Sequence, residues 1–382
     1  MVISGDTVEE RFGLVKPNFI VDPSTEADFY ARRSDIDIGA QVEGLQEDLV
    51  TGLAPKRLVW GPFGGGKTHT LHKITRELEK ITDVHAVHVD CPDLTRKATF
   101  LDLYRDGILR AIGQDFVLNL FETTLQKVGM ALRDELLKKL GEALTDEELS
   151  KAVVRLIDPG FNQLKLWAFI SGVSLSRADL GDLGQTQDLT VAESSRLAEM
   201  LILIGKLTRD NLNKTLVLVL DEMDRLQGVG AETIITFETG FRRLVDPNQK
   251  EVAVLIGASA TAMADMPELF TERGAVMSRL TQDAVLEIRT LQSPDVDGFI
   301  EDIVDRFRDP SANIAELMAQ AQLNTSETIA KNFFPFSEEA IVALKGRLTG
   351  AMTPREIMLN MTRLLGRAYR LNQRAITSDI VR

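Results

Sequence analysis

The sequence predicts an α/β fold: a P-loop three-layer αβα sandwich on a parallel five-stranded sheet, with a large helical insertion and a C-terminal helical lid domain. Three observations predict it. The apolar segment Leu58-Val59-Trp60 runs into Gly61-Pro62-Phe63-Gly64-Gly65-Gly66-Lys67-Thr68 and then into residues that continue as a helix to Lys80. A second apolar run, Thr215 to Leu220, ends in Asp221-Glu222. From Ser293 onward the apolar residues recur at helical spacing.

The glycine-rich run fits the phosphate-binding pattern G-x-x-x-x-G-K-[ST] in full. Glycines let successive backbone N–H groups turn inward on phosphate oxygens, Lys67 reaches the β- and γ-phosphates, and Thr68 holds Mg²⁺. The candidate nucleotide-binding set is therefore Gly61, Pro62, Phe63, Gly64, Gly65, Gly66, Lys67, Thr68 and His69. A strand before the loop and a helix after it aim the helix N-terminus at the anion.

Residues 1–55 precede the core as a segment expected to pack on the nucleotide site. Asp22 to Glu26 is expected to open a helix and Ile38 to Val50 to form another. After the phosphate loop, Val84 to Asp90 alternates as a second strand and stops at Cys91-Pro92. His85 and His88 fall on opposite faces of that strand and make a poor metal pair. The single cysteine excludes an internal disulfide framework and reads as a small buried hydrophobe in a reducing compartment.

Residues 97–209 read as a helical insertion in a core spanning 56–292. Leu132, Leu136 and Leu140 share one face, Thr145-Asp146-Glu147-Glu148 forms a capping box, and Leu197, Met200, Leu201 and Ile204 mark an amphipathic helix. Trp167 and Phe169 read as core, ahead of a loop at Asp179 to Gln187.

The run ending in Asp221-Glu222 reads as a strand buried on both faces. Asp221 is placed to hold Mg²⁺ through water, and Glu222 to polarise the water that attacks the γ-phosphate. Glu232 to Val245 reads as a helix. The next strand, Glu251 to Gly257, leads to Ser259 and Thr261, of which Ser259 is the first candidate to touch the attacking water or γ-phosphate. Met277-Ser278-Arg279-Leu280 precedes a short strand at Ala284 to Ile288. Arg279 is the candidate arginine finger inserted in trans, with Arg242, Arg243 and Arg273 as rivals.

In the C-terminal domain, 293–382, Ser293-Pro294 opens a helix carrying Val296, Phe299, Ile300, Ile303, Val304 and Phe307 on one side. Thr353-Pro354-Arg355-Glu356 repeats the device and sets Arg355 in a first helical turn, where a guanidinium can fold onto phosphate. Arg363, Arg367, Arg370 and Arg374 fall on one helical face, the best candidate for DNA or an acidic partner.

That stripe stands out because the chain of 382 residues carries a formal charge of −13, so the molecule as a whole repels nucleic acid and anionic membranes. No run is long and apolar enough to span a membrane, and the expected location is the cytoplasm. Asn213-Lys214-Thr215-Leu216 lacks the aspartate of a guanine reader.

Together these positions resemble an AAA+ ATPase of the branch that contains origin-recognition and initiator-type ATPases. The resemblance rests on Gly61 to Thr68 as Walker A, Leu216 to Glu222 as Walker B, Ser259 or Thr261 as sensor 1, Met277 to Leu280 as the arginine-finger box, and Thr353 to Glu356 as sensor 2. It implies ATP and Mg²⁺ as cofactors, ATP hydrolysis with Lys67, Glu222, Ser259, Arg279 and Arg355 in catalytic roles, homo-oligomerisation, and a partner protein. The helical insertion, with Trp167 to Gly172 and Asp182-Leu183-Gly184, resembles the ATP-binding proteins of bacterial phage-defence systems of the BREX kind. That likeness implies a DNA-associated process such as phage defence or mobile-element control. A nucleotide-locked scaffold with little hydrolysis is the alternative.

Overall fold

The computed structural model describes residues 6–129, 133–144, 147–158, 161–185, 194–271, 274, 276–280, 284–348 and 352–382. The chain forms two compact units, one of residues 1–39, 61–73 and 287–382, the other of 40–60 and 74–286.

The second unit is built on the sheet. Its strands are β1 (Lys56–Gly61), β2 (Val84–Asp90), β3 (Thr215–Asp221), β4 (Val252–Ser259) and β5 (Val285–Glu287), in the order β2-β3-β4-β1-β5. Each of the five matches a strand read from the sequence, β5 as a shorter piece. β2 and β3 pair in parallel with Asp90 opposite Asp221, and β3 and β4 in parallel with Leu220 opposite Ile256. The ends of three strands, with Asp90, Asp221 and Ser259, therefore lie along one edge.

Period-2 geometry explains the apolar runs. Leu216, Leu218 and Leu220 of β3, with Val252, Val254 and Ile256 of β4, join one large apolar cluster. The alternate residues Val217, Val219, Ala253 and Leu255 are equally buried, so these strands are covered on both faces. The Ser194–Leu212 helix places Leu197, Met200, Leu201 and Ile204 in that cluster, as its spacing requires. Gly205 of this helix lies where a Cβ would stand 2.6 Å from the Glu251 carbonyl oxygen, so only glycine permits the approach to the start of β4.

The insertion is helical, and no strand occurs among its described residues. Phe169 is buried and Trp167 packs at the cluster's margin, both on the Gln163–Ile170 helix. Leu136 and Leu140 are buried together, whereas Leu132, Thr145 and Asp146 lie outside the described residues. The loop expected from Asp179 is instead the end of a helix, Arg177–Asp182: Ser176 caps it by accepting from the Asp179 N–H at 3.1 Å, and left-handed Gly184 (φ +70°) closes the turn. Cys91 is buried, and burial pushes its thiol up to about 12.

The first unit has its own core. Phe299, Ile300, Ile303, Val304 and Phe307 of the Ser293–Phe307 helix meet Ile357, Met361, Leu364 and Leu365 of the Pro354–Arg370 helix, and Phe12, Phe19 and Val21 of the N-terminal segment join them. The helix expected at Asp22 does not form. Asp22 Oδ1 accepts from the Ser24 N–H and hydroxyl at 2.9 and 2.7 Å, and this local turn satisfies the backbone in place of a helical ladder. Ile38–Val50 is helical as expected. No helix among the described residues is long and apolar enough to cross a membrane.

Candidate functional site

The phosphate loop lies between β1 and the Lys67–Glu79 helix, the context its sequence demands. Gly64 (φ +76°) and Gly66 (φ +100°) hold backbone conformations that side chains rarely adopt. A Cβ on Gly64 would stand 3.0 Å from Arg355 Cβ and 3.2 Å from Thr353 Oγ1, and one on Gly65 would stand 2.9 Å from the Pro62 oxygen. Bare backbone is what fits here.

Within the loop, the Gly65 N–H donates to the Pro62 carbonyl at 3.0 Å, and Lys67 Nζ donates to the same oxygen at 2.8 Å. Lys67 is only 5% exposed. The Gly66 carbonyl accepts from the Thr70 N–H at 2.8 Å and its hydroxyl at 3.0 Å, locking the loop onto the first helical turn. Thr68, half-buried, is the second residue of that helix. The His69 imidazole is turned to the Phe29 carbonyl and packs edge-on against Tyr30, their centroids 5.5 Å apart. Burial pulls its pKa below the ordinary histidine value.

Arg355 meets the loop directly. Its N–H donates to the Gly64 carbonyl at 3.3 Å, and its guanidinium carbon lies 4.9 Å from the centroid of Phe63, a ring 71% exposed. Thr353 caps the helix by accepting from the Glu356 N–H at 3.2 Å, which fixes where Arg355 starts.

The carboxylate end of β3 has a different construction. Asp221 is 2% exposed, and its Oδ1 accepts from the Glu222 N–H at 2.7 Å. Glu222 has φ +56°, a left-handed conformation costly for a residue with a side chain. Arg225, one turn on, forms an ion pair with the Glu222 carboxylate and also donates to Asp93 Oδ1 at 2.9 Å. Burial raises the Glu222 pKa above the usual glutamate value; Arg225 opposes this, and Asp221, Asp90 and Asp224 reinforce it. Asp224 Oδ1 accepts from the Ser259 N–H at 2.8 Å, tying the residues after β3 to the last residue of β4. Ser259 is half-buried, while Thr261 lies past the strand and is exposed.

Arg279 sits half-buried in a short 3₁₀ turn, Met277–Arg279, with Nη1 3.3 Å from the Ser278 hydroxyl. Of its rivals, Arg242 pairs with Glu238 and Arg243 with Glu199 at 3.5 Å, and Arg273 lies outside the described residues.

The four-arginine face requires correction. The helix ends at Arg370, and left-handed Asn372 (φ +54°) turns the chain, so Arg374 leaves the face and donates to Gln320 Oε1 at 2.8 Å. Arg363, Arg367 and Arg370 remain exposed, and Arg367 also donates to the Ile380 carbonyl at 2.6 Å.

In each unit taken by itself, the residue chemistry fits the implied ligands. Bare backbone at Gly64 to Gly66 suits the close approach of a polyphosphate, and the Thr68 hydroxyl in one unit and the Asp221 carboxylate in the other are each, by themselves, oxygen donors of the hard kind Mg²⁺ takes. Sequence reasoning missed Asp224, Arg225 and the pair Arg33 and Asp35. The spacing of Glu222 and Arg225 by one helical turn was a usable signal. Nothing local marked Arg33.

Neither a protein-family profile nor a curated protein sequence matches this chain. Solved structures that resemble it include Cdc6p from Pyrobaculum aerophilum (13% identity, TM-score 0.43, 93% of this chain and 68% of that one). Others are the Aeropyrum pernix ORC2 protein in ADPNP–ADP complexes (12%, 0.46, 94% and 70%) and the Aeropyrum pernix ORC1 protein in complex with DNA (14%, 0.44, 91% and 64%). This chain thus spans 64% of the length of that ORC1 chain. At such identities and scores, function rests on this chain's own residues.

Proposed function

We propose that the chain is an ATP hydrolase of the AAA+ type, in which ATP binding and hydrolysis drive oligomer assembly and the remodelling or regulation of a partner protein in a DNA-associated process. One observation carries the proposal: the complete Gly61–Thr68 motif takes a phosphate-loop conformation between strand and helix, with left-handed glycines and Lys67 inside the turn.

In this reading Gly64, Gly65 and Gly66 offer backbone N–H groups to the phosphates, with Pro62, Phe63 and His69 flanking them. Lys67 and Arg355 balance phosphate charge, and Thr68 and Asp221 supply oxygen donors for Mg²⁺. Glu222 orients the attacking water and Ser259 assists it. Bound ATP supplies the phosphoanhydride bond and Mg²⁺ neutralises its charge. Arg279 serves a neighbouring copy. Phage defence and mobile-element control are the settings suggested by the sequence resemblance of the insertion, and Arg363, Arg367 and Arg370 are the DNA-facing candidates.

The test is steady-state ATP turnover as protein concentration rises, with and without duplex DNA. Turnover that climbs faster than enzyme concentration, and further with DNA, supports shared active sites on a DNA-stimulated oligomer. Turnover near zero in both arms, with ATP bound, supports the second reading, a nucleotide-locked scaffold. The ion pair between Arg225 and Glu222 favours that second reading, because it occupies the carboxylate assigned to the water.

A further inference from the structure

A phosphate loop binds anions through N–H groups, so its peptide planes must face the right way. In a planar trans peptide the carbonyl of one residue and the N–H of the next point in opposite directions. Whatever grips the Gly65 carbonyl therefore aims the Gly66 N–H. The plane between two glycines has no side chain on either side to resist a flip. Neighbouring planes are held as well: Gly66 by Thr70, one turn on, and Gly64 by the Arg355 N–H from the far end of the chain. The Gly65 carbonyl is held from far away in sequence, by Arg33 Nη1.

Arg33 is built for this. Its side chain is 4% exposed. Nε donates to Asp35 Oδ1 and Nη2 to Asp35 Oδ2, both at 2.9 Å, a two-pronged grip that fixes the guanidinium plane. Nη2 also donates to the Arg289 carbonyl at 2.6 Å, while Asp35 Oδ2 accepts from the Arg289 N–H at 3.0 Å. One peptide residue at the exit of β5 is thus clasped at both its N–H and its C=O. Burial raises the Asp35 pKa, and the Arg33 guanidinium and the Arg289 N–H outweigh it, so the carboxyl titrates below its ordinary value. Nη1 would stand 3.2 Å from a Cβ on Gly66, which places the guanidinium against the Gly65–Gly66 turn itself.

We infer that Arg33 is a positioning residue for nucleotide binding: it holds the Gly65 carbonyl outward and so presets the Gly66 N–H for phosphate, with Asp35 and the Arg289 backbone as its fixed support. With four of its five N–H donors committed to backbone and to Asp35, Arg33 acts through the loop it grips. The inference rests on the ATP reading of the loop.

The experiment is ATP affinity, KM and kcat for the full chain and for Arg33→Gln, Arg33→Lys and Asp35→Asn, with thermal unfolding in the absence of nucleotide alongside. The expected result for Arg33→Gln is a rise in Kd and KM of about ten- to a hundred-fold, the range for losing a charge-assisted hydrogen bond that preorganises a site, with kcat changed far less. Arg33→Lys keeps the charge without the fork and falls between the two. Asp35→Asn, a milder change suited to the case in which Arg33→Gln does not fold, raises Kd in the same direction. A lowered unfolding temperature with unaltered Kd and KM in the folded variants overturns the inference and leaves Arg33 a structural tie. Failure of the unaltered chain to bind ATP overturns the ATP reading as well, and so separates the two.

Discussion

The phosphate loop and the carboxylate end of β3 are made by opposite means. The loop is fixed by backbone: left-handed glycines, carbonyls gripped by Arg33, Arg355 and Thr70, and a buried Lys67. The carboxylate end is fixed by charge and local strain: a left-handed Glu222 beside buried Asp221 and held by Arg225. A binding site for a constant anion can be rigid. On the proposed reading, Glu222 activates water, and such a carboxylate needs a proton affinity set by its neighbours.

Variants should divide along that line. Glu222→Gln should retain ATP binding and lose turnover by on the order of 10²–10⁴, the span of a lost general base; unchanged turnover would sink the assignment of Glu222. Lys67→Ala should act on the other half, weakening ATP binding by on the order of 100-fold, as removal of a charge-assisted phosphate contact does; calorimetric titration reads it. Gly66→Ala places a side chain at φ +100° and should cost about 1–3 kcal/mol of stability by denaturant titration, with ATP affinity falling too. Thr353→Ala removes the cap under Arg355 and should cost about 1 kcal/mol, the usual value for such a cap.

The smallest effect is a shift rather than a loss. Burial holds Glu222 above the ordinary glutamate range, so the acid limb of the turnover profile should lie above that range as well. Arg225 opposes the rise, so Arg225→Gln should move the limb to still higher pH. A limb that stays put, measured by turnover from acid to neutral pH, would detach Arg225 from the proton affinity of Glu222. For stability the sign is the reverse of a paired carboxylate. The folded chain holds the Glu222 proton more tightly than the unfolded chain, so its contribution falls as pH rises through that window.

Much of this was legible from the residues alone. The strands appeared because a sheet buried on both faces needs unbroken apolar runs, as in Thr215 to Leu220, and the phosphate loop because its chemistry tolerates few substitutions. The helix starting at Thr353-Pro354 announced itself through its cap. Other features were set by contacts between distant parts of the chain. The hydrogen bond that draws Arg374 to Gln320, the Ser259–Asp224 hydrogen bond, and the clasp of Arg33 and Asp35 on Gly65 and Arg289 belong to this group. Periodicity and motifs report the forces a residue feels from its sequence neighbours and from burial in general. A hydrogen bond across 32 residues between Arg33 and Gly65 depends on where two backbones meet, and only the tertiary structure decides that.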